Sequence, residues 1–163
     1  MREAEKKIRE RPALAQECAR LRAAGKKIVF TNGCFDLMHA GHATYLEFAR
    51  AQGDVLVVGL NTDASVRRYK GEKRPIVDER NRARMMAALE CVDYVTWFDE
   101  DEPKELIAEL QPDVLVKAED WAHYVSGRDV VEARGGKVVL APMVAGLSTT
   151  KLIEKIVQAY GAE

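Results

Sequence analysis

The sequence predicts an α/β protein built on a five-stranded parallel sheet flanked by helices. Apolar strand-like runs alternate with helical patterns along most of the chain. The run Val55–Asn61 is apolar almost throughout, as expected when both faces of a parallel strand are covered. Such alternation favours right-handed βαβ units. We therefore expect a ligand site beyond the carboxyl ends of the strands, near the point where strand order reverses.

Each predicted strand is a short apolar or β-branched run bounded by polar or turn-forming residues. The five runs are Lys27–Asn32, Val55–Asn61, Tyr94–Phe98, Val114–Lys117 and Lys137–Leu140. Several polar segments follow directly after these runs, so the fold would gather them at one edge of the sheet.

Helical patterns lie before and between the strands. They cover residues 2–24, 41–52, 78–90, 103–110, 126–133 and 148–160. Pro12 is expected to divide the first pattern into two segments, and Asp78 to cap the helix over 78–90. The spacing on that helix predicts that Met85, Met86 and Leu89 face the core.

Ser148 opens the C-terminal helix, whose periodicity predicts that Leu152, Ile153, Ile156 and Val157 form a buried face. We expect two parts in the chain: an N-terminal helical extension over residues 1–25 and a main domain over residues 26–163. No internal repeat or low-complexity linker divides the main domain further.

Composition excludes several classes of function. The chain has 163 residues and a net charge of −1, so no basic field indicates a nucleic acid or an anionic membrane as partner. The N-terminus is charged and lacks the apolar segment of a secretory signal, and no apolar run is long enough to span a bilayer. Three widely spaced cysteines without a C-x-x-C pair favour reduced thiols and a cytoplasmic location.

Two of the three histidines, His39 and His42, stand three residues apart at the expected junction of the first strand and the next helix. Residues with this spacing project from one side of a forming helical turn. Gly41 between them removes a side chain where a ligand could approach the backbone. Imidazoles beside a positive helix N-terminus suit a polyphosphate, which points to nucleotide chemistry.

A second candidate anion site is the start of the C-terminal helix, where Ser148-Thr149-Thr150 combines hydroxyls with free backbone N–H groups. N-capping by Ser148 accounts for one hydroxyl of the three. Lys70 and Arg82 are candidate cations for a leaving pyrophosphate or an acceptor phosphate. We expect Lys70-Gly71 to lie in a mobile loop that closes over the phosphates.

The chain resembles the cytidylyltransferase-like nucleotidyltransferases, which have a Rossmann-like fold with a paired-histidine signature. The blocks that carry the resemblance are Thr31-Asn32-Gly33-Cys34-Phe35-Asp36, His39-Ala40-Gly41-His42 and Gly146-Leu147-Ser148-Thr149-Thr150. Within this superfamily it is most similar to the adenylyltransferases that act on D-glycero-β-D-manno-heptose 1-phosphate. Asn61-Thr62-Asp63, Lys70-Gly71, Arg74-Pro75, Arg82 and Leu115-Val116-Lys117 stand where that family has them.

The resemblance implies attack of a sugar-phosphate oxygen on the α-phosphorus of a nucleoside triphosphate, which releases pyrophosphate. The implied nucleotide-binding residues are Thr31, Asn32, Gly33, Cys34, Phe35, Gly41, Ser148, Thr149 and Thr150. The implied catalytic residues are His39, His42, Lys70 and Arg82. The implied acceptor-side residues are Asp36, Asn61, Asp63, Lys117 and Asp120, although Asp36 is equally suited to fixing its own turn. Mg²⁺ is expected to enter with the triphosphate rather than in an all-protein cage, and a homodimer is plausible.

The chain departs from the heptose enzymes after Lys117, where Ala118-Glu119 replaces two glycines that the family typically has. This departure bears on the acceptor side of the site. Three alternatives to a heptose enzyme stay open. One is a CTP-dependent cytidylyltransferase acting on glycerol 3-phosphate or a similar polyol phosphate. Another is a non-catalytic nucleotide-binding module. The third is a fragment of a class I aminoacyl-tRNA synthetase, against which the absence of a Lys-Met-Ser-Lys-Ser block argues.

Overall fold

A computed structural model describes residues 3–161, so residues 1–2 and 162–163 of the expected domain ranges lie outside the described part. Five parallel strands form one sheet in the order β3-β2-β1-β4-β5. The strands are β1 (Ile28–Gly33), β2 (Val55–Asn61), β3 (Tyr94–Phe98), β4 (Val114–Ala118) and β5 (Lys137–Ala141). The predicted fold class is confirmed, and strand order reverses between β1 and β4.

The described part of the chain contains seven α-helices. They are α1 (Arg11–Ala23), α2 (Ala40–Arg50), α3 (Asp63–Lys70), α4 (Glu79–Ala88), α5 (Lys104–Leu110), α6 (Arg128–Ala133) and α7 (Thr149–Tyr160). Two short 3₁₀ turns cover Ala4–Lys7 and Glu119–Trp121. The predicted break in the first helical pattern is present, but it lies at residues 8–10, and Pro12 sits in the first turn of α1.

Alternating strand residues supply two separate apolar cores. On one face, Val29 and Leu56 pack with Leu46 of α2 and Met86 of α4. On the other face, Ile28, Phe30 and Val57 pack with α1, α5 and α6. Both faces of the central strands are therefore covered, which explains the uninterrupted apolar pattern of β2.

The N-terminal segment covers one border of the sheet. Ile8 forms an isolated parallel bridge with Val95 of β3, and the Arg9 N–H donates to the Val95 carbonyl at 2.9 Å. Lys7 donates through Nζ to the Leu89 carbonyl at 2.9 Å. These contacts join residues 3–10 to the edge strand β3, while β5 forms the opposite border.

Two predicted burial patterns are wrong. Met85 is exposed, because Arg82, Ala83, Met86 and Ala87 form the buried face of α4. The apolar face expected on α7 is also largely exposed.

On α7, Leu152 and Ile153 are half-buried, whereas Ile156 and Val157 lie on the surface. The helix is strongly amphipathic, yet no residue of it is fully buried in the described part of the chain. Its apolar face therefore has no partner element in the sheet.

Arg82 is the largest fully buried side chain and ties together the carboxyl ends of β1 and β2. Its Nη1 donates to the Cys34 and Asn61 carbonyls, each at 2.8 Å, and its Nε donates to the Val77 carbonyl at 2.9 Å. Its Nη2 donates to Asp63 Oδ1 at 2.7 Å. A buried guanidinium is stable only when its donors are satisfied in this way.

We expect Arg82→Met to lower the free energy of unfolding by about 3 kcal/mol, because it leaves buried carbonyls and Asp63 without their donor. Urea denaturation followed by circular dichroism measures this loss. Arg84→Met is the matched control on the same helix. Arg84 pairs with Glu5 on the surface, so its loss should cost at most about 0.5 kcal/mol. Equal losses in the two variants would contradict a hub role for Arg82.

Candidate active site

A cleft of about 460 Å³ opens beyond the carboxyl ends of β1, β2 and β4, at the point where strand order reverses. This volume is typical of small-molecule sites. The cleft gathers all but three of the site residues expected from the sequence. The expected residues that line the cleft are Asn32, Gly33, Cys34, Phe35, Asp36, His39, Gly41, His42, Asn61, Lys70, Lys117, Asp120, Ser148, Thr149 and Thr150.

The two histidines cap helix α2 with their own side chains. His39 is the N-cap residue, and its Nδ1 accepts from the Gly41 N–H at 3.1 Å. In return, His42 Nδ1 accepts from the His39 N–H at 3.3 Å, which completes a reciprocal capping box. The rings stack with centroids 3.9 Å apart. A Cβ on Gly41 would stand 2.9 Å from the His39 ring, so glycine is what allows the ring to lie over the helix start.

Burial sets the charge of both imidazoles, and the capping hydrogen bonds set which nitrogen carries the proton. Burial lowers the pKa of His39. Burial, followed by the charges of His39 and Lys70, lowers the pKa of His42 to about 4. Both rings are therefore neutral at pH 7. Since each Nδ1 accepts a backbone hydrogen bond, each proton resides on Nε2.

The turn between β1 and α2 has a strained backbone. Phe35 and Leu37, on either side of Asp36, have φ angles of 47° and 36°, values that residues with a Cβ rarely adopt. The Phe35 ring stands edge-on to His42, with centroids 5.4 Å apart. The turn thereby positions the rings of the motif against each other.

The Asp36 side chain makes its hydrogen bonds within the protein. Its carboxylate is inaccessible to solvent and accepts from Arg74 Nε and the Ile76 N–H on Oδ2, and from the Val77 N–H on Oδ1. Burial by itself would raise the pKa of Asp36, but these donors outweigh it and lower that pKa. Asp36 thus anchors the loop over residues 71–77.

The start of α7 lies in the same cleft as the histidines. Ser148 is the N-cap residue, with its Oγ accepting from the Lys151 N–H at 3.1 Å. Thr149 Oγ1 donates to the Asp36 carbonyl at 2.8 Å, which attaches α7 to the turn after β1. Thr149 and Thr150 occupy the first turn, where backbone N–H groups have no intrahelical acceptor. The helix tip therefore presents donors to an anion in the cleft.

The placement expected for Lys70 is wrong in one respect. Lys70 is the last residue of α3, and the loop begins only at Gly71, whose φ of 96° ends the helix. The sequence pattern did not reveal α3, because its exposed face is strongly charged and its buried face is confined to Ser65 and Val66. Lys70 lines the cleft together with both histidines, and its charge contributes to lowering the pKa of His42.

The opposite wall of the cleft is built on the end of β4. Lys117 Nζ donates to Asn32 Oδ1 at 3.2 Å and lies 5.3 Å from the centroid of the Trp121 ring. Burial lowers the pKa of Lys117 to about 8, although the Asp120 charge opposes that shift. Glu119, at the departure from the resembled pattern, accepts from the Met143 N–H at 3.0 Å and so joins this wall to the loop before α7.

Three expected site residues do not line the cleft. Thr31 is buried, with its hydroxyl 2.6 Å from the Tyr45 hydroxyl and 2.9 Å from the Val116 carbonyl. Arg82 is buried and bonded to the strand ends, and Asp63 is its carboxylate partner. The structure therefore places these three side chains behind the site rather than in it.

Sequence reasoning missed several residues that do line the cleft. They include Tyr45, Tyr69, Arg74, Glu102, Tyr124, Ser126, Met143, Val144 and Leu147. Most lie in loops that the fold brings in from distant parts of the chain, where no local pattern marks them, although Leu147 belongs to the block that ends in Ser148-Thr149-Thr150. For Arg74, the Arg-Pro pair after Lys70-Gly71 in the family resemblance was an available signal.

No group of three or more His, Cys, Asp or Glu side chains that could hold a metal ion occurs among residues 3–161. Within the same residues, no helix combines the length and hydropathy needed to cross a bilayer.

Curated relatives are similar over nearly the whole chain. A bifunctional protein HldE from Citrifermentans bemidjiense is 56% identical over 98% of this chain and 33% of its own length. One from Geobacter metallireducens is 58% identical over 96% of this chain and 32% of its own length. The chain thus spans about a third of the length of these relatives.

Solved structures share the fold. A lipopolysaccharide core biosynthesis protein from Thermoplasma volcanium is 26% identical with a TM-score of 0.61, over 73% of this chain and 97% of that one. A pantoate-beta-alanine ligase from Francisella tularensis has a TM-score of 0.62 at 16% identity, over 96% of this chain and 79% of that one. At that identity the likeness concerns the fold alone.

The cytidylyltransferase-like family model matches residues 30–155, a span that contains the histidine pair, the Asp36 turn, the β4 wall and the tip of α7. On this match and on the relatives above, the chain belongs to the cytidylyltransferase-like family.

Proposed function

We propose that this cleft transfers AMP from ATP to a sugar phosphate, D-glycero-β-D-manno-heptose 1-phosphate, and releases pyrophosphate. The observation that carries the proposal is the meeting of two Nε2-protonated imidazoles with the hydroxyl-rich tip of α7 in one cleft. The identity of the acceptor is taken from the resemblance to the heptose adenylyltransferases. The relatives named bifunctional protein HldE and a lipopolysaccharide core biosynthesis protein support it.

In the proposed reaction, a phosphate oxygen of the acceptor attacks the α-phosphorus, and the bond from that phosphorus to the oxygen bridging it to the β-phosphorus breaks. His39 and His42 donate from Nε2 to the α- and β-phosphates as negative charge develops on their oxygens. Lys70 faces the leaving pyrophosphate. Because no covalent intermediate is needed, positioning and charge stabilisation supply most of the catalysis.

The β4 wall is the proposed acceptor side. Lys117 offers a cation to the acceptor phosphate, and a bound phosphate would restore the charged form that burial disfavours. Asp120 and Trp121 line the same wall and present a carboxylate and an aromatic face to a hydroxylated substrate. Asn32 holds Lys117 in place from the end of β1.

Mg²⁺ is proposed to arrive as the ATP complex, since Mg²⁺ usually binds through substrate phosphates and one or two carboxylates. The cleft fits that arrangement, because Asp101, Glu102 and Asp120 are carboxylates in its lining. When bound, the ion would neutralise charge on the phosphate oxygens.

Two further expectations stay proposals. A homodimer has an available surface in the exposed apolar face of α7, and sedimentation equilibrium would detect it. A cytoplasmic location is proposed from the unpaired thiols of Cys18, Cys34 and Cys91, and cell fractionation would test it.

Pyrophosphate release with ATP or CTP against several acceptor phosphates tests the proposed function directly. We expect turnover with ATP and the heptose 1-phosphate. Turnover only with CTP and glycerol 3-phosphate would favour the second candidate, which the name of the matching family supports. Binding of nucleotide without any turnover would indicate a non-catalytic module.

We expect His42→Ala to lower kcat by about 10²–10³-fold, the usual loss when one transition-state donor is removed. His123→Ala is the control, because His123 lies outside the lining of the cleft and stacks with Trp121 at 6.2 Å. Steady-state kinetics should show the control within about twofold of the wild type, well below a single donor's contribution. A similar kcat for His42→Ala and the wild type would remove His42 from the mechanism.

We expect His42 to titrate near pH 4 in the free protein and to carry its proton on Nε2 at pH 7. Nitrogen-15 NMR of the imidazoles measures both properties. The folded pKa lies below the ordinary value of 6.5, so the unfolded chain binds this proton first as pH falls. As the pH falls from 6.5 to about 4, protonation of His42 in the unfolded chain therefore lowers the free energy of unfolding. Above pH 6.5 His42 has no such effect. An observed pKa of 6.5 or higher would overturn the neutral-donor assignment.

A further inference from the structure

Arg74 lines the cleft and is held by one of its nitrogens alone. Its Nε donates to Asp36 Oδ2 at 2.7 Å, and 13% of its side chain is accessible. Neither Nη1 nor Nη2 donates a hydrogen bond to any of residues 3–161. A guanidinium has five donors, so four of them stay available to a ligand.

The orientation of this guanidinium is set by its partner. Asp36 is fully buried and also receives the N–H groups of Ile76 and Val77, which leaves it little freedom to move. Because a guanidinium is planar, a fixed Nε restricts the direction of both Nη groups. The Arg74 side chain is therefore already ordered before a ligand binds, so binding costs less conformational entropy than it would for a mobile arginine.

The position of Arg74 places it on the nucleotide side of the cleft. The carbonyl of its partner Asp36 accepts from Thr149 at the tip of α7. Lys70, which lines the cleft together with the histidines, ends the helix directly before the loop that carries Arg74. Lys117, the cation of the acceptor wall, stands on β4 instead.

We propose that Arg74 is a phosphate-binding residue, oriented by Asp36, which donates both Nη groups to the β- and γ-phosphates that leave as pyrophosphate. Paired N–H groups match two phosphate oxygens in geometry and charge. This inference rests on the proposed nucleotide transfer and adds a cation to its leaving-group side. Asp36 then acts as a positioning residue.

Isothermal titration with pyrophosphate and with ATP tests the proposal without any acceptor. Arg74→Met should weaken binding of both by about 10- to 100-fold, the loss expected for charge-assisted hydrogen bonds. Arg68→Met removes the same charge from α3, where Arg68 pairs with Asp99 and Asp101, and should bind as the wild type does. Melting temperatures report whether each variant is folded.

Two conservative variants separate binding from positioning. Arg74→Lys keeps a charge but has no paired N–H groups, and should recover only part of the affinity for pyrophosphate. Asp36→Asn keeps Arg74 but turns an amide N–H toward its donors, so it should weaken pyrophosphate binding although the cation is present. Because Arg74→Lys keeps a cation beside Asp36, it also serves if Arg74→Met fails to fold.

Steady-state kinetics then show whether Arg74 binds the phosphates of ATP or the phosphate of the acceptor. The proposal requires Arg74→Lys to raise the KM for ATP, while the KM for the acceptor stays within about threefold of the wild-type value. A threefold change is smaller than the effect of losing one charged hydrogen bond. A rise confined to the acceptor KM, or unchanged pyrophosphate affinity in folded Arg74→Lys and Arg74→Met, would overturn it. Arg74-dependent binding of pyrophosphate without turnover of any sugar phosphate would reject the proposed function and leave this inference standing.

Discussion

The buried carboxylate of Asp36 is the contact on which the geometry of the cleft depends. It stands between two residues of positive φ and gathers three donors from the loop over 71–77. Its backbone carbonyl receives Thr149 from α7. A carboxylate can be buried at this depth only with such donors. The turn, the loop and the C-terminal helix are therefore joined through one residue, so a displacement of one of them strains its hydrogen bonds to Asp36.

The two arginines beside this turn differ in how many of their N–H donors are used by the protein itself. Arg82 is buried, and four of its five N–H donors go to three carbonyls and Asp63, so its guanidinium is closed to a substrate. Arg74 uses Nε alone within the described residues, and its other donors stay free. The same residue type thus holds strand ends together at one position and offers N–H groups to the cleft at the other.

Most of the sheet could be predicted from the sequence, because the signals for a strand, its hydrophobic periodicity and the turn residues around it, lie within a few residues of the strand itself. The bounds of β2 and β3 agree with those expected, and the histidine pair lies at the strand-to-helix junction as expected. The hydrogen-bond partners of Asp36 and Arg82 were not predictable, because they lie more than 20 positions away: Arg74 for Asp36, and Asn61 and Cys34 for Arg82. The exposed face of α7 shows the same limit, since amphipathicity reveals an apolar face but not whether another element covers it.

The two borders of the sheet differ in a way that bears on assembly. Ile8 and Arg9 occupy the outer side of β3, whereas no strand of residues 3–161 pairs with the outer side of β5. Unpaired strand edges are templates for another chain. The bridge at Val95 interrupts the β3 border, so β5 is the border better placed to pair with another chain. Two copies joined through β5 would leave only interrupted borders exposed, which disfavours growth into a fibril.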